Sequence, residues 1–285
     1  MSGNAISLQK SHAAGIAVHH YRIPVEGIQK KVIYHFSDVH LAEYDSLSSE
    51  EEKCKAINVT RYWEALRYDF ANNHNEAYTT MQQQSAYTHF LNLLAVAQDG
   101  DALVMAGDIC DYINGANLRI LDTELGKFPV PFLSVLGNHE KCEEIPKNHI
   151  LAQSTAPTQI LDLSDFVIFG IDNSLRQITK EQNEQLKDVL LQGKPLIIAM
   201  HVPIMTEDNR EQLLECGEYF QLNHANAPEE VHDFIEIIRQ NASRIIAVFA
   251  GHLHFANNTE ITAGVTQYVS SQGVLGNINR YEIGI

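Results

Sequence analysis

Short apolar runs, each ending in a cluster of polar residues, set the rhythm of this chain. Residues 32–36 (VIYHF) run into Ser37-Asp38-Val39-His40, and 102–106 (ALVMA) into Gly107-Asp108. Residues 131–136 run into Gly137-Asn138-His139-Glu140, 196–200 into His201, and 245–250 into Gly251-His252-Leu253-His254. Apolar, often β-branched stretches of this length without alternation predict strands buried on both faces. Further strands are predicted at 16–23, 166–171, 267–270 and 281–285.

Helical periodicity falls between these runs. Residues 76–97 carry a stripe at Tyr87, Phe90, Leu91, Leu94 and Ala97. Thr179 followed by Gln182 predicts a capping box that opens a helix through Leu191. Residues 229–241, after Pro228, place Val231, Phe234, Ile235 and Ile238 on one face. Strands alternating with helices predict an α/β architecture. In such sheets ligands bind beyond the carboxyl ends of the strands, where all five polar clusters fall. Residues 41–75 break the rhythm: acidic first, then aromatic and basic through Arg61, Tyr62, Trp63, Arg67 and Tyr68. They read as a mostly helical insertion, with length enough for a lid. No repeat or Pro/Gly/Ser-rich linker interrupts the chain, so residues 1–285 are expected to form one domain.

Composition narrows the picture. The 285 residues carry a formal net charge of −16, which argues against a grip on nucleic-acid polymers or anionic membranes. No apolar run approaches the roughly 20 residues of a spanning helix. The N-terminus lacks an apolar signal segment, so a cytoplasmic protein is expected. The four cysteines (Cys54, Cys110, Cys142, Cys216) are scattered and read as free thiols. More telling are the 14 histidines, the side chain most used for metal ligation and proton transfer.

Taken singly, most of the clusters are weak signals. Asp38-Val39-His40 recurs by chance, Gly107-Asp108 can be a turn, and a lone His201 can be a core residue. Gly251-His252-Leu253-His254 is stronger, because alternate residues of an extended chain face the same way. Jointly they supply Asp38, Asp108, Asn138, His40, His201, His252 and His254, too many donors for one tetrahedral ion. They suit two ions sharing a carboxylate. Mixed nitrogen and oxygen donors without thiolate favour transition metals, with Mn, Fe or Zn foremost. Two dications outweigh two ligand carboxylates, leaving a locally positive site that suits a phosphate substrate.

At this point the sequence resembles the calcineurin-like metallophosphoesterase superfamily. The pattern D-x-H, G-D-x-x-D, G-N-H-[DE], a lone His and G-H-x-H stands here as Asp38/His40, Asp108/Asp111, Asn138/His139/Glu140, His201 and His252/His254. The resemblance implies a four-layer sandwich of two central mixed sheets flanked by helices. It assigns one metal to Asp38, His40, Asp108 and His254, and the second to Asp108, Asn138, His201 and His252. It implies that His139 protonates the leaving oxygen, that Asp111 hydrogen-bonds His139, and that a hydroxide bridging the metals attacks phosphorus directly.

Departures from the pattern narrow the family. The arginines of the Ser/Thr protein phosphatase motifs G-D-x-x-D-R-G and R-G-N-H-E are replaced by Tyr112 and Leu136. Asp111 stands where purple acid phosphatases place a Tyr ligand, and His139-Glu140 where lipid A-type pyrophosphatases resemble G-N-R-D. The remaining group implies a small soluble phosphoester substrate, with a diester preferred. A nuclease of the same chemistry and a non-catalytic scaffold are the alternatives. In the insertion, Trp63, Tyr62 and Tyr68 offer stacking surfaces and Arg61, Arg67 and His74 offer phosphate contacts; ordinary helix packing is the other reading of these residues.

Overall fold

The computed structural model describes residues 7–10, 15–73 and 84–285, with the side chains of 7–10, 64, 66–73 and 218 excepted. Two six-stranded sheets form its centre. The first is built from β1 (Ser7–Lys10), β2 (Ala17–Ile23), β3 (Lys31–Phe36), β4 (Ala102–Ala106), β5 (Phe132–Val135) and β12 (Asn277–Ile283), in the order β1-β2-β12-β3-β4-β5. The second holds β6 (Thr158–Asp162), β7 (Val167–Ile171), β8 (Leu196–Ala199), β9 (Ile245–Ala250), β10 (Asn257–Thr262) and β11 (Val265–Val269), in the order β10-β11-β9-β8-β7-β6. Both sheets are mixed. Strands β3, β4 and β5 run parallel, as do β7, β8 and β9. Two parallel blocks therefore deliver their carboxyl ends to one edge of the sandwich.

Three apolar layers make the stack four layers deep. Ile33, Val104, Leu133, Ile168, Ile197, Phe249 and Tyr281 fill the space between the sheets. On the outer face of the first sheet, Phe90, Leu93 and Leu94 of α2 (Ala86–Ala97) and Leu121 and Leu125 of α3 (Gly115–Leu125) cover Leu103 and Met105. On the outer face of the second, Leu186 and Val189 of α4 (Lys180–Leu191) and Val231, Phe234 and Ile238 of α5 (Glu229–Gln240) cover Phe169, Leu196 and Ile198. The fully buried runs of the sequence thus become central strands with a hydrophobic layer on each side.

Helix ends follow local chemistry. Thr179 and Gln182 close a reciprocal capping box on α4. Ser85 caps α2 by accepting from the Thr88 backbone N–H. That cap places the start of α2 ten residues after the predicted one at 76, and residues 74–83 lie outside the described ones. The α2 face also turns slightly: His89 and Leu93 are buried, whereas Tyr87 and Leu91 are half-buried. Between β3 and β4 stands α1 (Glu50–Asn73), opened by Ser49 and Glu52, whose side chains each accept from the other's backbone N–H. Among the described residues no helix is long and apolar enough to cross a membrane.

Candidate dinuclear metal centre

The five polar clusters meet at the carboxyl ends of β3, β4, β5, β8 and β9. Their backbones are unusual there. Seven non-glycine residues among those described have positive φ, and five of them are Asp38, His40, Asp108, His252 and His254. A left-handed conformation in such residues costs on the order of 1–3 kcal/mol each and persists where the surroundings impose it. Here loop-to-loop hydrogen bonds impose it. Asp38 N–H donates to Gly107 O (3.0 Å), His40 N–H to Asp108 O (3.0 Å), and Leu41 N–H to Ile109 O (2.8 Å).

Glycines make room for the carboxylates. A Cβ at Gly137 would fall on the Asp108 carboxylate, and one at Gly251 on the Ser37 hydroxyl and 2.9 Å from Asp38 Oδ2. The motif glycines are thus explained by side chains lying against their α-carbons, in addition to turn geometry.

Two donor sets converge. In the first, His40 Nε2 lies 3.1 Å from His254 Nε2, and Asp38 Oδ1 lies 3.3 Å from His254 Nε2 and 3.9 Å from His40 Nε2. In the second, His201 Nε2 lies 3.2 Å from Asp108 Oδ2, 3.2 Å from His252 Nδ1 and 3.1 Å from Asn138 Oδ1. The remaining atoms of these groups are already committed. Asp38 Oδ2 accepts from the Ser37 hydroxyl and from His252 N–H (2.9 Å). Asp108 Oδ1 accepts from His139 N–H (2.9 Å). His201 Nδ1 sits 2.8 Å from Ala106 O and His252 Nε2 3.2 Å from Tyr219 O. Backbone carbonyls thereby fix both rings with the other nitrogen turned inward.

One atom tests whether a cation belongs here. Asp38 Oδ1 is fully buried and has no well-formed hydrogen bond, with His254 Nε2 beside it at 3.3 Å. A buried carboxylate oxygen without a donor is costly. Paired imidazole nitrogens 3.1 Å apart beside it are a lone-pair cluster that a metal ion would satisfy. The residues present fit the two ions that the donor count implies.

Electrostatics point the same way. Burial opposes ionisation of Asp38 and Asp108, yet the imidazoles of His254 and His201 respectively outweigh it and hold both carboxyls well below their usual range. Burial pushes His40 down and, helped by the His201 charge, brings His252 to about 3, so both rings are neutral and carry free lone pairs. Burial also opposes the charge on His201, but the Asp108 carboxylate overrides it and raises that ring to about 9, so in the metal-free chain a proton sits where an ion entering this set would displace it.

The predicted catalytic pair lies beside the first donor set. Asp111 Oδ1 accepts from Trp63 Nε1–H (2.7 Å) and lies 3.2 Å from His40 Nδ1. His139 Nδ1 is 3.1 Å from the Asp111 backbone carbonyl and 3.4 Å from its carboxylate. The carboxylate therefore serves His40 and Trp63 more closely than it serves His139. The His139 side chain is 35% exposed, against 12% for His254 and none for His40 or His201. It is the most exposed of these four rings.

Two supporting residues carry roles that the sequence motifs did not assign, one of them within the G-N-H-[DE] motif itself. Glu140 is buried and accepts from Gly137 N–H (2.9 Å), Cys110 N–H (2.9 Å) and Asp108 N–H (3.2 Å), tying the β4 and β5 loops together. Asn173 Oδ1 accepts from the N–H groups of His201 (2.9 Å) and Val202 (3.0 Å). It lies just past β7, so the strand-end rule that found the other clusters would have found it too. Of the insertion residues, Trp63 is buried with its ring 4.1 Å from that of His40 and 5.1 Å from that of His254. Tyr62 is 61% exposed, and Arg61 is exposed as well. The side chains of Arg67 and Tyr68, and all of His74, lie outside the described residues.

Residues 31–256 match the family described as calcineurin-like phosphoesterase. The chain belongs to this family. The fold of a dimetal phosphatase from Danio rerio is similar, with a TM-score of 0.54 and 11% identity over 86% of this chain and 88% of that one. The Thermus thermophilus protein TT1561 aligns with a TM-score of 0.46 and 10% identity over 86% and 91% of the two chains. A phosphopantetheinyl hydrolase from Mycobacterium tuberculosis aligns with a TM-score of 0.39 and 11% identity over 86% and 90%. No curated protein matches the sequence. As a calcineurin-like phosphoesterase, the chain has the two flanked mixed sheets of its structural neighbours.

Proposed function

We propose that this calcineurin-like phosphoesterase is a two-metal hydrolase of small phosphoesters, with diesters preferred. The observation that carries the proposal is the pair of buried donor sets, Asp38 with His40 and His254 and Asp108 with His201 and His252, the first containing the buried Asp38 Oδ1. Asp38, His40, Asp108 and His254 would hold one ion, and Asp108, Asn138, His201 and His252 the other, with Mn, Fe or Zn suiting the donors. When bound, the two ions would supply Lewis acidity, a water of lowered pKa and charge neutralisation for the phosphate.

The chain's own residues do the rest. Asp38 and Asp108 stay ionised and His40 and His252 neutral, the protonation states that ligation needs. His139 donates Nδ1–H to the Asp111 carbonyl, so Nε2 is the atom that gives a proton to the leaving oxygen. Asp111 fixes the adjacent His40 ring and shares in orienting His139. The acidic surface leaves recognition of the phosphate to the site itself. We read the chain as one catalytic domain in which the segment bearing α1 is an insertion beside the first ion. Hydrolysis of bis(p-nitrophenyl) phosphate, p-nitrophenyl phosphate and an oligonucleotide, each with Mn(II), tests the reading. The diester should turn over fastest and the oligonucleotide not at all. Faster monoester turnover would overturn the diester preference, and oligonucleotide cleavage would favour a nuclease.

A further inference from the structure

Helix α1 is held to the body of the protein in an unusual way. Among its residues with described side chains, only Ala56 and Trp63 are buried. The other described positions are exposed or half-buried and largely polar or charged, so the described side chains of this helix have a small apolar footing. Lys55 Nζ lies 3.7 Å from the centroid of the Tyr112 ring, and Trp63, the single tryptophan of the chain, adds a hydrogen bond to that footing. Its indole N–H donates to Asp111 Oδ1 at 2.7 Å, the oxygen that also lies 3.2 Å from His40 Nδ1. Its ring covers His40 at 4.1 Å and His254 at 5.1 Å, at interplanar angles of 32° in both cases.

We infer that Trp63 is a positioning residue for the ion held by Asp38, His40 and His254, and that docking of α1 and occupancy of that ion are coupled. The inference rests on the two-metal reading above. One oxygen atom, Asp111 Oδ1, links the helix to the ligand ring. The indole N–H fixes the rotamer of the Asp111 carboxylate, and the fixed carboxylate receives His40 Nδ1–H. That selects the tautomer whose Nε2 lone pair faces Asp38 Oδ1 and His254 Nε2. The indole face also keeps water off one side of both rings, which strengthens every polar contact beneath it. Hydrogen-bond partners behind a ligating histidine are typically worth 10- to 100-fold in metal affinity. Linkage then requires the ion to favour docking of α1 by the same factor as docked α1 favours the ion.

Metal titration of the full chain tests this without measuring hydrolysis. Mn(II) binding is followed in the wild type and in Trp63→Phe and Trp63→Leu by free-ion electron paramagnetic resonance, with amide hydrogen exchange of α1 measured at each saturation level. Trp63→Phe keeps an aromatic, though smaller, ring in place and loses the N–H donor, so it guards against a misfolded Leu variant. One of the two binding steps should weaken about 10-fold in Phe and up to about 100-fold in Leu. The other step, through Asp108, Asn138, His201 and His252, should stay within twofold. In the wild type, Mn(II) should quench the lone tryptophan and slow exchange across α1; in Trp63→Leu the exchange should not respond to metal. Two unchanged steps, two equally weakened steps, or α1 exchange that ignores metal in the wild type would overturn the inference while leaving a two-metal hydrolase standing. A wild type that binds no metal would overturn both.

Discussion

Glu140 provides the most quantitative test of how the site is built. Its carboxylate accepts three backbone N–H groups, from Gly137, Cys110 and Asp108, and all three residues are buried. A buried donor left without an acceptor costs about 1–3 kcal/mol. Glu140→Ala strands three of them, so it should cost at least about 3 kcal/mol of stability in the metal-free protein, water entry setting how much more. Glu140→Gln keeps one acceptor oxygen. With that oxygen in place of Oε2, which serves Gly137 and Asp108, the variant loses the Cys110 bond alone, for about 1–3 kcal/mol. The pH dependence carries a second signature. Burial, and then repulsion from Asp108, push the Glu140 carboxyl up to about 7. Between about 4.5 and 7 the folded metal-free protein keeps a proton that the unfolded chain releases, so this group's contribution to stability falls as pH rises through that window. Urea denaturation at several pH values measures both effects. A loss under about 1 kcal/mol for Glu140→Ala, or the same pH slope in wild type and Glu140→Gln, would refute the reasoning.

Other substitutions probe neighbouring parts of the frame. Gly137→Ala places a methyl group on the Asp108 carboxylate, so metal binding should be lost while the far-ultraviolet circular dichroism spectrum is retained; a calorimetric titration identical to wild type would contradict the packing argument. Asn173→Ala removes the acceptor of two buried N–H groups at His201 and Val202; about 2 kcal/mol or more should be lost in chemical denaturation, with the His201 side of the centre weakened first. Leu191→Ser, on a side chain 81% exposed at the end of α4, should change stability by less than about 0.5 kcal/mol, a control that calibrates the buried variants.

Much of this site was legible because buried strands and their ends look distinctive in sequence. Runs such as 245–250 have no polar position to hide, and β9 is buried throughout its length. The edge strands were harder. Asn257–Thr262 alternates buried with exposed or half-buried positions, is mostly polar, and pairs with one neighbour only, so little in its composition marks it as β10. Likewise β6 and α3 carry polar or charged residues among their apolar ones and were not foreseen. At the site, motif spacing pointed to the donors, whereas their supports needed three dimensions. Glu140 works by gathering N–H groups from two loops, and Trp63 reaches Asp111 across 48 positions of sequence. The partition of Asp111 between His40, Trp63 and His139 is likewise set by side-chain directions that no linear pattern encodes.

The central claim, that these residues hold two ions for phosphoester hydrolysis with His139 moving the proton, meets its most direct test in one paired measurement. Metal content and bis(p-nitrophenyl) phosphate turnover are determined on the same Mn(II)-reconstituted preparations of wild type, His139→Ala and Asp108→Ala. The account predicts two ions per chain and turnover in the wild type, two ions with turnover reduced about 100-fold or more in His139→Ala, and loss of both in Asp108→Ala. Full turnover in either variant, or a wild type that binds no ions, would contradict it.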